Sequence, residues 1–114
     1  MDAIRTVSNS RELDEHLAAS DEQDVWFFKH SRSCGISTAA WREFEGFVGD
    51  PDGDDSARYC LVDMQRARDV SRALAEKLAV RHESPQAILV RRGEVVWHAS
   101  HWSITKKALG AATS

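Results

Sequence analysis

The stretch that decides the fold is Phe28-Lys29-His30-Ser31-Arg32-Ser33-Cys34-Gly35-Ile36-Ser37, where a strand pattern changes to a helix pattern at one cysteine. Residues 25–28 are continuously apolar, which is typical of a strand buried on both faces of a sheet. After the cysteine, apolar residues recur at helical spacing as far as Gly49, where we expect the helix to end. The start of a helix presents unpaired N–H groups and the positive end of the peptide dipole, so a thiol at that place ionises easily. Cys34 is therefore the candidate nucleophile of a thiol-redox protein.

Composition and charge limit the class of protein. The 114 residues are 42% hydrophobic and 29% charged, which is ordinary for one soluble globular domain over residues 1–114. A net charge of -3 and the lack of a basic stripe argue against nucleic-acid and membrane-surface partners. The N-terminus lacks the apolar run of a secretion signal, and no stretch has the length of a membrane span, so we expect a cytoplasmic protein.

The chain has two cysteines, too few for a disulfide framework. Cys60 lies early in a predicted strand, whereas Cys34 lies just past the end of a predicted parallel neighbour. At a rise of about 3.3 Å per residue, the two sulfurs are too far apart for a disulfide. We therefore expect Cys60 to be a small, buried and unreactive side chain.

The rest of the chain alternates strand and helix patterns around short connections. Right-handed crossovers make the early strands parallel, whereas a closing hairpin must be antiparallel. The predicted class is therefore an α/β domain. Its elements, in order, are a strand at 4–7, a helix with Ser10 as N-cap, the strand at 25–28, the helix after Cys34, a strand at 59–64, a helix at 69–80, hairpin strands at 87–90 and 95–98 joined through Gly93, and a last helix with Ser103 as N-cap.

This order of elements, with a cysteine after the second strand and Ser84-Pro85 before the hairpin, resembles the thioredoxin fold. The resemblance implies a central mixed sheet of four or five strands flanked by helices. It also implies that Pro85 follows a cis peptide bond and lies against the reactive cysteine, an assignment open to proline because its cis form costs little. By the same resemblance, Ser84 offers its backbone N–H and C=O to an extended substrate.

The motif Cys34-Gly35-Ile36-Ser37 has serine where a dithiol enzyme carries its second cysteine. Ser37 can donate a hydrogen bond to a thiolate but cannot close a disulfide with it, so a mixed disulfide would persist until an external thiol removes it. Lys29 and Arg32 are candidate positive charges near the thiolate, with side chains turned to water as the alternative. His82 is a candidate substrate contact or thiolate-tuning group, with a plain loop role as the alternative.

Three segments, residues 28–37, 82–86 and 96–105, together resemble the monothiol bacilliredoxin family of the YtxJ type over nearly the whole chain. The resemblance implies an enzyme that removes bacillithiol, or a similar low-molecular-weight thiol, from S-thiolated client proteins. It implies this thiol as co-substrate, a low-molecular-weight thiol or a disulfide reductase for recycling, and no tightly bound cofactor. Gly35 departs from the proline typical of the family motif, and it loosens the first helical turn. The expected catalytic residues are Cys34 and Ser37, and the expected substrate-binding residues are Arg32, Gly35, His82, Ser84 and Pro85.

Two other functions stay open at this stage. The motif differs by one residue from the Cys-Gly-Phe-Ser motif of monothiol glutaredoxins, which carry iron–sulfur clusters, although their downstream glycine pair has no counterpart after Gly93. The other alternative is a thioredoxin-like adaptor in which Cys34 is a relic. His98 and His101 lack the further ligands that a zinc site needs, so we expect no metal site.

Overall fold

In the computed structural model, which describes residues 3–31, 35–50 and 56–113, five strands form one sheet. The strands are β1 (Ile4–Thr6), β2 (Val25–His30), β3 (Arg58–Asp63), β4 (Gln86–Arg91) and β5 (Glu94–Ser100). Their order across the sheet is β1-β3-β2-β4-β5. β3 is parallel to both β1 and β2, whereas β4 is antiparallel to β2 and to β5. The predicted mixed sheet and the direction of its pairs are confirmed.

Within the ranges that the structure describes, four helices and one 3-10 turn connect and flank the strands. They are α1 (Ser10–Ala19), α2 (Gly35–Val48), α3 (Arg68–Leu78), the 3-10 turn (His101–Ser103) and α4 (Lys106–Ala112).

Two predicted helix caps are wrong by one or two residues. Asn9, not Ser10, caps α1, because its side chain accepts a hydrogen bond from the Glu12 N–H at 2.9 Å. Thr105, not Ser103, caps α4, because its Oγ1 accepts from the Ala108 N–H at 3.1 Å. Ser103 instead belongs to the preceding 3-10 turn.

Two hydrophobic layers cover the two faces of the sheet. All six residues of β2 are buried, and successive side chains point to opposite faces. Val25 and Phe27 pack in the layer with residues of α1 and α3, such as Leu13 and Leu74. Trp26 and Phe28 pack in the layer with residues of α2 and α4, such as Phe44 and Leu109. Because β2 is sandwiched between helices, its two ends are held in fixed positions, and the end at His30 is where the predicted site begins.

The second cysteine lies in the middle of the sheet. Cys60 is fully buried on β3, and its register partner on β2 is Phe27. Burial raises the pKa of its thiol to about 12, so the thiolate is essentially absent at neutral pH. The prediction of a buried, unreactive Cys60 is confirmed for its burial. None of the helices in the described ranges has the length and apolar character that crossing a membrane requires.

Candidate functional site

The strand-to-helix junction at the end of β2 is the centre of the predicted site. β2 ends at His30, and α2 begins at Gly35, directly after Cys34 in the sequence. The predicted nucleophile Cys34 and the predicted substrate contact Arg32 lie outside the described residues. Gly35 is exposed. Apart from its chain neighbours and the backbone of its own helix, no atom of the described residues lies within 4 Å of the place where a Cβ would stand on it.

Ser37 connects the two sides of this junction. It is fully buried, its Oγ accepts a hydrogen bond from the Ser31 N–H at 2.9 Å, and the same oxygen lies 2.8 Å from His30 Nδ1. Because the Ser31 N–H donates to this oxygen, the Ser37 hydroxyl still has one hydrogen bond of its own to donate. It donates to His30 Nδ1 when that nitrogen is unprotonated, and it is available to another acceptor when Nδ1 carries a proton.

His30 is held in place by aromatic packing. Its ring stacks on Trp41, with ring centroids 5.4 Å apart and planes 17° apart, and Phe28 lies against both rings. The His30 carbonyl accepts a hydrogen bond from the Met64 N–H at 2.9 Å, just after the end of β3. The imidazole next to Ser37 is therefore fixed by both its side chain and its backbone.

The loop before β4 has the predicted proline geometry. The Ser84–Pro85 peptide bond is cis, as the fold resemblance implied, and Pro85 is buried. The Pro85 carbonyl accepts a hydrogen bond from the His101 N–H at 3.1 Å, and the 3-10 turn that begins at His101 packs on α2. The backbone N–H and C=O of Ser84 have no backbone partner within the described parts of the chain, and its buried Oγ has no hydrogen-bond partner there either.

A second polar cluster lies below this loop, and the sequence reasoning did not find it. Lys29 is fully buried, with its Nζ 3.2 Å from His82 Nδ1, and Ser71 Oγ lies 3.2 Å from the same nitrogen. The alternative that Lys29 turns to water is therefore wrong. The alternation of Val25, Phe27 and Lys29 along one face of the strand was the signal that could have placed its side chain inside.

Burial changes the protonation of this cluster. Desolvation lowers the pKa of Lys29 to about 8. Desolvation and then the charge of Lys29 lower the pKa of His82, while Glu83 acts in the opposite direction. At neutral pH, a neutral imidazole therefore faces a charged ammonium.

The last two residues of β2 bring the predicted site residues together. His30 reaches Ser37 at the start of α2, and Lys29, on the opposite face, reaches His82 on the loop that carries Ser84 and Pro85. Five of the seven predicted site residues thus gather around one end of β2; their predicted roles stay predictions.

A mixed five-stranded sheet with a cis-proline loop beside a strand-to-helix junction defines a thioredoxin-like protein. The family is more specific. The sequence model of the monothiol bacilliredoxin BrxC matches residues 5–109, and the chain belongs to the monothiol bacilliredoxin family.

Solved structures agree with the thioredoxin fold. One of them is described as an oxidoreductase with a thioredoxin fold, an activity that is assigned to it provisionally. It is 30% identical to this chain with a TM-score of 0.85, and the match covers 98% of this chain and 95% of its own. The thioredoxin of Malassezia sympodialis is 14% identical, with a TM-score of 0.75, over 96% of this chain and 88% of its own. The thioredoxin of Trypanosoma brucei brucei is 13% identical, with a TM-score of 0.75, over 96% of this chain and 87% of its own. The two thioredoxins show the shared fold alone.

Proposed function

We propose that this chain is a monothiol disulfide oxidoreductase that removes bacillithiol, or a similar low-molecular-weight thiol, from S-thiolated client proteins through Cys34. The observation that carries the monothiol scheme is the burial of Cys60 in the middle of β3. A thiol with a pKa of about 12 and no access to solvent cannot resolve a mixed disulfide. Ser37, at the other candidate position, has no sulfur.

The reaction is a thiol–disulfide exchange. The Cys34 thiolate attacks the low-molecular-weight thiol's sulfur in the mixed disulfide of the client. A new S–S bond forms between Cys34 and that sulfur while the old S–S bond breaks, and the client cysteine leaves as a thiolate that takes up a proton. The client cysteine is reduced and Cys34 is oxidised, so the electrons balance without a cofactor.

The junction supplies groups that favour this step. In our proposal the N-terminus of α2 stabilises the thiolate of Cys34, and the first turn of α2 has no acidic residue to oppose it. Ser37 donates a hydrogen bond from its hydroxyl to the thiolate when His30 Nδ1 carries a proton. Arg32 adds a positive charge for the approaching substrate.

The cis-proline loop supplies the docking groups. The backbone N–H and C=O of Ser84, which have no backbone partner among the described residues, are available to an extended client segment, and Pro85 shapes the groove beside them. The open space at Gly35 leaves room for the carbon chain of the transferred thiol, and His82 contacts that thiol.

Recycling needs a second reductant. A further molecule of the low-molecular-weight thiol, or a disulfide reductase, attacks the mixed disulfide on Cys34 and restores the thiolate. The proposal places this cycle in the reducing environment of the cytoplasm and requires no tightly bound cofactor.

Mass spectrometry of the transferred thiol tests the proposal. A purified client carrying one bacillithiol should lose it to the wild-type protein, which gains the mass of the adduct. Cys34→Ser should abolish the transfer, whereas Cys60→Ala should retain at least about half of the wild-type rate, because a buried thiol takes no part in the exchange. Equal loss in both variants, or an adduct on Cys60, would contradict the monothiol scheme.

A parallel incubation identifies the class of thiol. The protein is incubated separately with oxidised bacillithiol and with oxidised glutathione. We expect an adduct on Cys34 to form faster with oxidised bacillithiol. Faster formation with oxidised glutathione would assign the enzyme to a different thiol while leaving the exchange chemistry in place.

A further inference from the structure

A groove of about 360 Å³ runs along one face of α3, and His82 of the following loop also lines it. Its helical wall carries Arg68, Ser71, Arg72 and Glu76, and Met64 lies at one end. This volume is within the range of sites that hold small molecules, about 300–1,000 Å³.

The groove carries an excess of positive charge. Arg68 and Arg72 are both exposed, and neither makes an ion pair or a hydrogen bond with another residue in the described ranges. Glu76 is the acidic residue in its lining, and at a rise of 1.5 Å per residue it lies about 12 Å along the helix from Arg68 and about 6 Å from Arg72. Within the described ranges it forms an ion pair with neither arginine. Each guanidinium presents parallel N–H donors that match the two oxygens of a carboxylate.

A third donor faces the groove from the loop. Because an ammonium can only donate, the 3.2 Å contact with Lys29 makes His82 Nδ1 an acceptor, and the ring proton then lies on Nε2. Lys29 itself has no carboxylate partner within the parts of the chain that the structure describes. A buried ammonium without a counter-ion is costly, so an anion bound in the groove would compensate for it.

The groove begins at the end of the sheet where the predicted site lies. Met64 follows the last residue of β3, and its N–H binds the His30 carbonyl at 2.9 Å. Lys29, which holds His82, precedes His30 on β2. A small molecule in the groove therefore has one end next to the β2 terminus from which the chain continues to Cys34.

We propose that this groove is the anion subsite for the low-molecular-weight thiol, with its carboxylates bound by Arg68 and Arg72 and by the Nε2–H of His82. This inference rests on the proposed function, and it adds what the enzyme recognises in its co-substrate. The charge of the small thiol, rather than the client protein, then selects which mixed disulfides react quickly.

The test compares charged and uncharged small disulfides. The rate of adduct formation on Cys34 is measured by mass spectrometry with oxidised bacillithiol and oxidised glutathione, which carry carboxylates, and with bis(2-hydroxyethyl) disulfide, which does not. The combined Arg68→Gln and Arg72→Gln variant should react with the carboxylate-bearing disulfides at least about tenfold more slowly than wild type, because two charge-assisted hydrogen bonds are lost. Its rate with the uncharged disulfide should stay within about twofold of wild type, since no contact to it is removed.

A matched control removes the same kind of charge elsewhere. Arg92 lies in the hairpin turn at the opposite end of the sheet, so Arg92→Gln should leave every rate within about twofold of wild type. S-methylated bacillithiol, which cannot exchange, should inhibit the wild-type reaction with oxidised bacillithiol and should inhibit the doubly substituted protein about tenfold less strongly.

Three outcomes would overturn the subsite. Unchanged rates in the doubly substituted protein would leave the exchange chemistry intact and exclude the groove. Equal slowing with charged and uncharged disulfides would mean that the arginines act on the reactivity of Cys34 and not on the ligand. If Cys34 reacts with none of the disulfides, the proposed function fails together with the subsite.

Discussion

At the scale of single residues, the most unusual choice in this chain is Lys29. A strand that is otherwise apolar places a lysine fully inside the molecule, where its amine has a neutral imidazole as its partner. Burial of an ammonium costs free energy, and the low pKa of about 8 expresses that cost. A residue that costs stability and yet sits beside the cis-proline loop is typical of a functional position.

Replacing Lys29 by methionine should stabilise the protein at neutral pH. The pKa of about 8 in the folded protein lies below the ordinary lysine pKa of 10.5, so the unfolded chain binds more protons between these two values. The free energy of unfolding contributed by Lys29 therefore rises through that window, and below it the full cost of about 3 kcal/mol applies. With the lost hydrogen bond to His82 taken into account, Lys29→Met should raise the unfolding free energy at pH 7 by about 1–3 kcal/mol.

Urea unfolding of the wild-type and Lys29→Met proteins from pH 7 to pH 10 measures this difference, and other titrating groups such as Cys60 cancel in the comparison. The stability gap should shrink as the pH rises from 8 towards 10.5. Lys107→Met, at an exposed position, should show no such pH dependence. A gap that stays constant with pH would contradict the assignment to the buried amine.

At the scale of elements, the ends of the helices decide where the site loops begin. Ala79, the cap residue directly after α3, has a φ of 54°, in the left-handed region, and its N–H donates to the carbonyls of Ala75 and Glu76. This turn leads into the loop of His82. Alanine has a Cβ that disfavours such a φ, whereas glycine adopts it without strain.

Ala79→Gly should therefore stabilise the protein by about 0.5–1 kcal/mol. The same substitution at Ala73, within α3, should destabilise it by about 1 kcal/mol because the backbone there has ordinary helical geometry. Chemical denaturation followed by circular dichroism measures both changes. Destabilisation by Ala79→Gly would contradict the described turn.

At the scale of the whole molecule, β2 contributes side chains to both hydrophobic layers. Phe44 belongs to the layer on one face of β2 and Leu74 to the layer on the other, and both side chains are fully buried. Because β2 contributes side chains to both layers, loss of either layer should remove support from the other.

Truncation of either layer should weaken one common unfolding transition. We expect Phe44→Ala to cost about 3–5 kcal/mol and Leu74→Ala about 2–5 kcal/mol. Thermal unfolding followed by tryptophan fluorescence and by far-ultraviolet circular dichroism should give coincident curves in both variants, as for a single cooperative unit. Two separated transitions in either variant would show that the layers unfold independently.

The sequence predicted the order of strands and helices and the parallel and antiparallel pairs, because these features depend on local patterns such as the apolar run of β2 and the glycine of the hairpin. The cis bond at Pro85 was implied by the resemblance to the thioredoxin fold and not by a local pattern. The contact between Lys29 and His82 was not predictable in the same way, because 53 residues separate them and the packing of α3 decides their distance. The cap at Asn9 was missed because Asn9 and Ser10 are adjacent and both carry side chains that commonly cap the start of a helix.

The stack of Trp41 on His30 gives the site a natural optical reporter. A protonated imidazole in contact with an indole ring quenches its emission, so we expect the light emitted by Trp41 to depend on the charge of His30. His30 in turn shares a hydrogen bond with Ser37, and the fluorescence difference between wild type and Trp41→Phe should therefore record the state of that bond during the proposed exchange reaction. Stopped-flow experiments can then follow the steps of that reaction without an added dye.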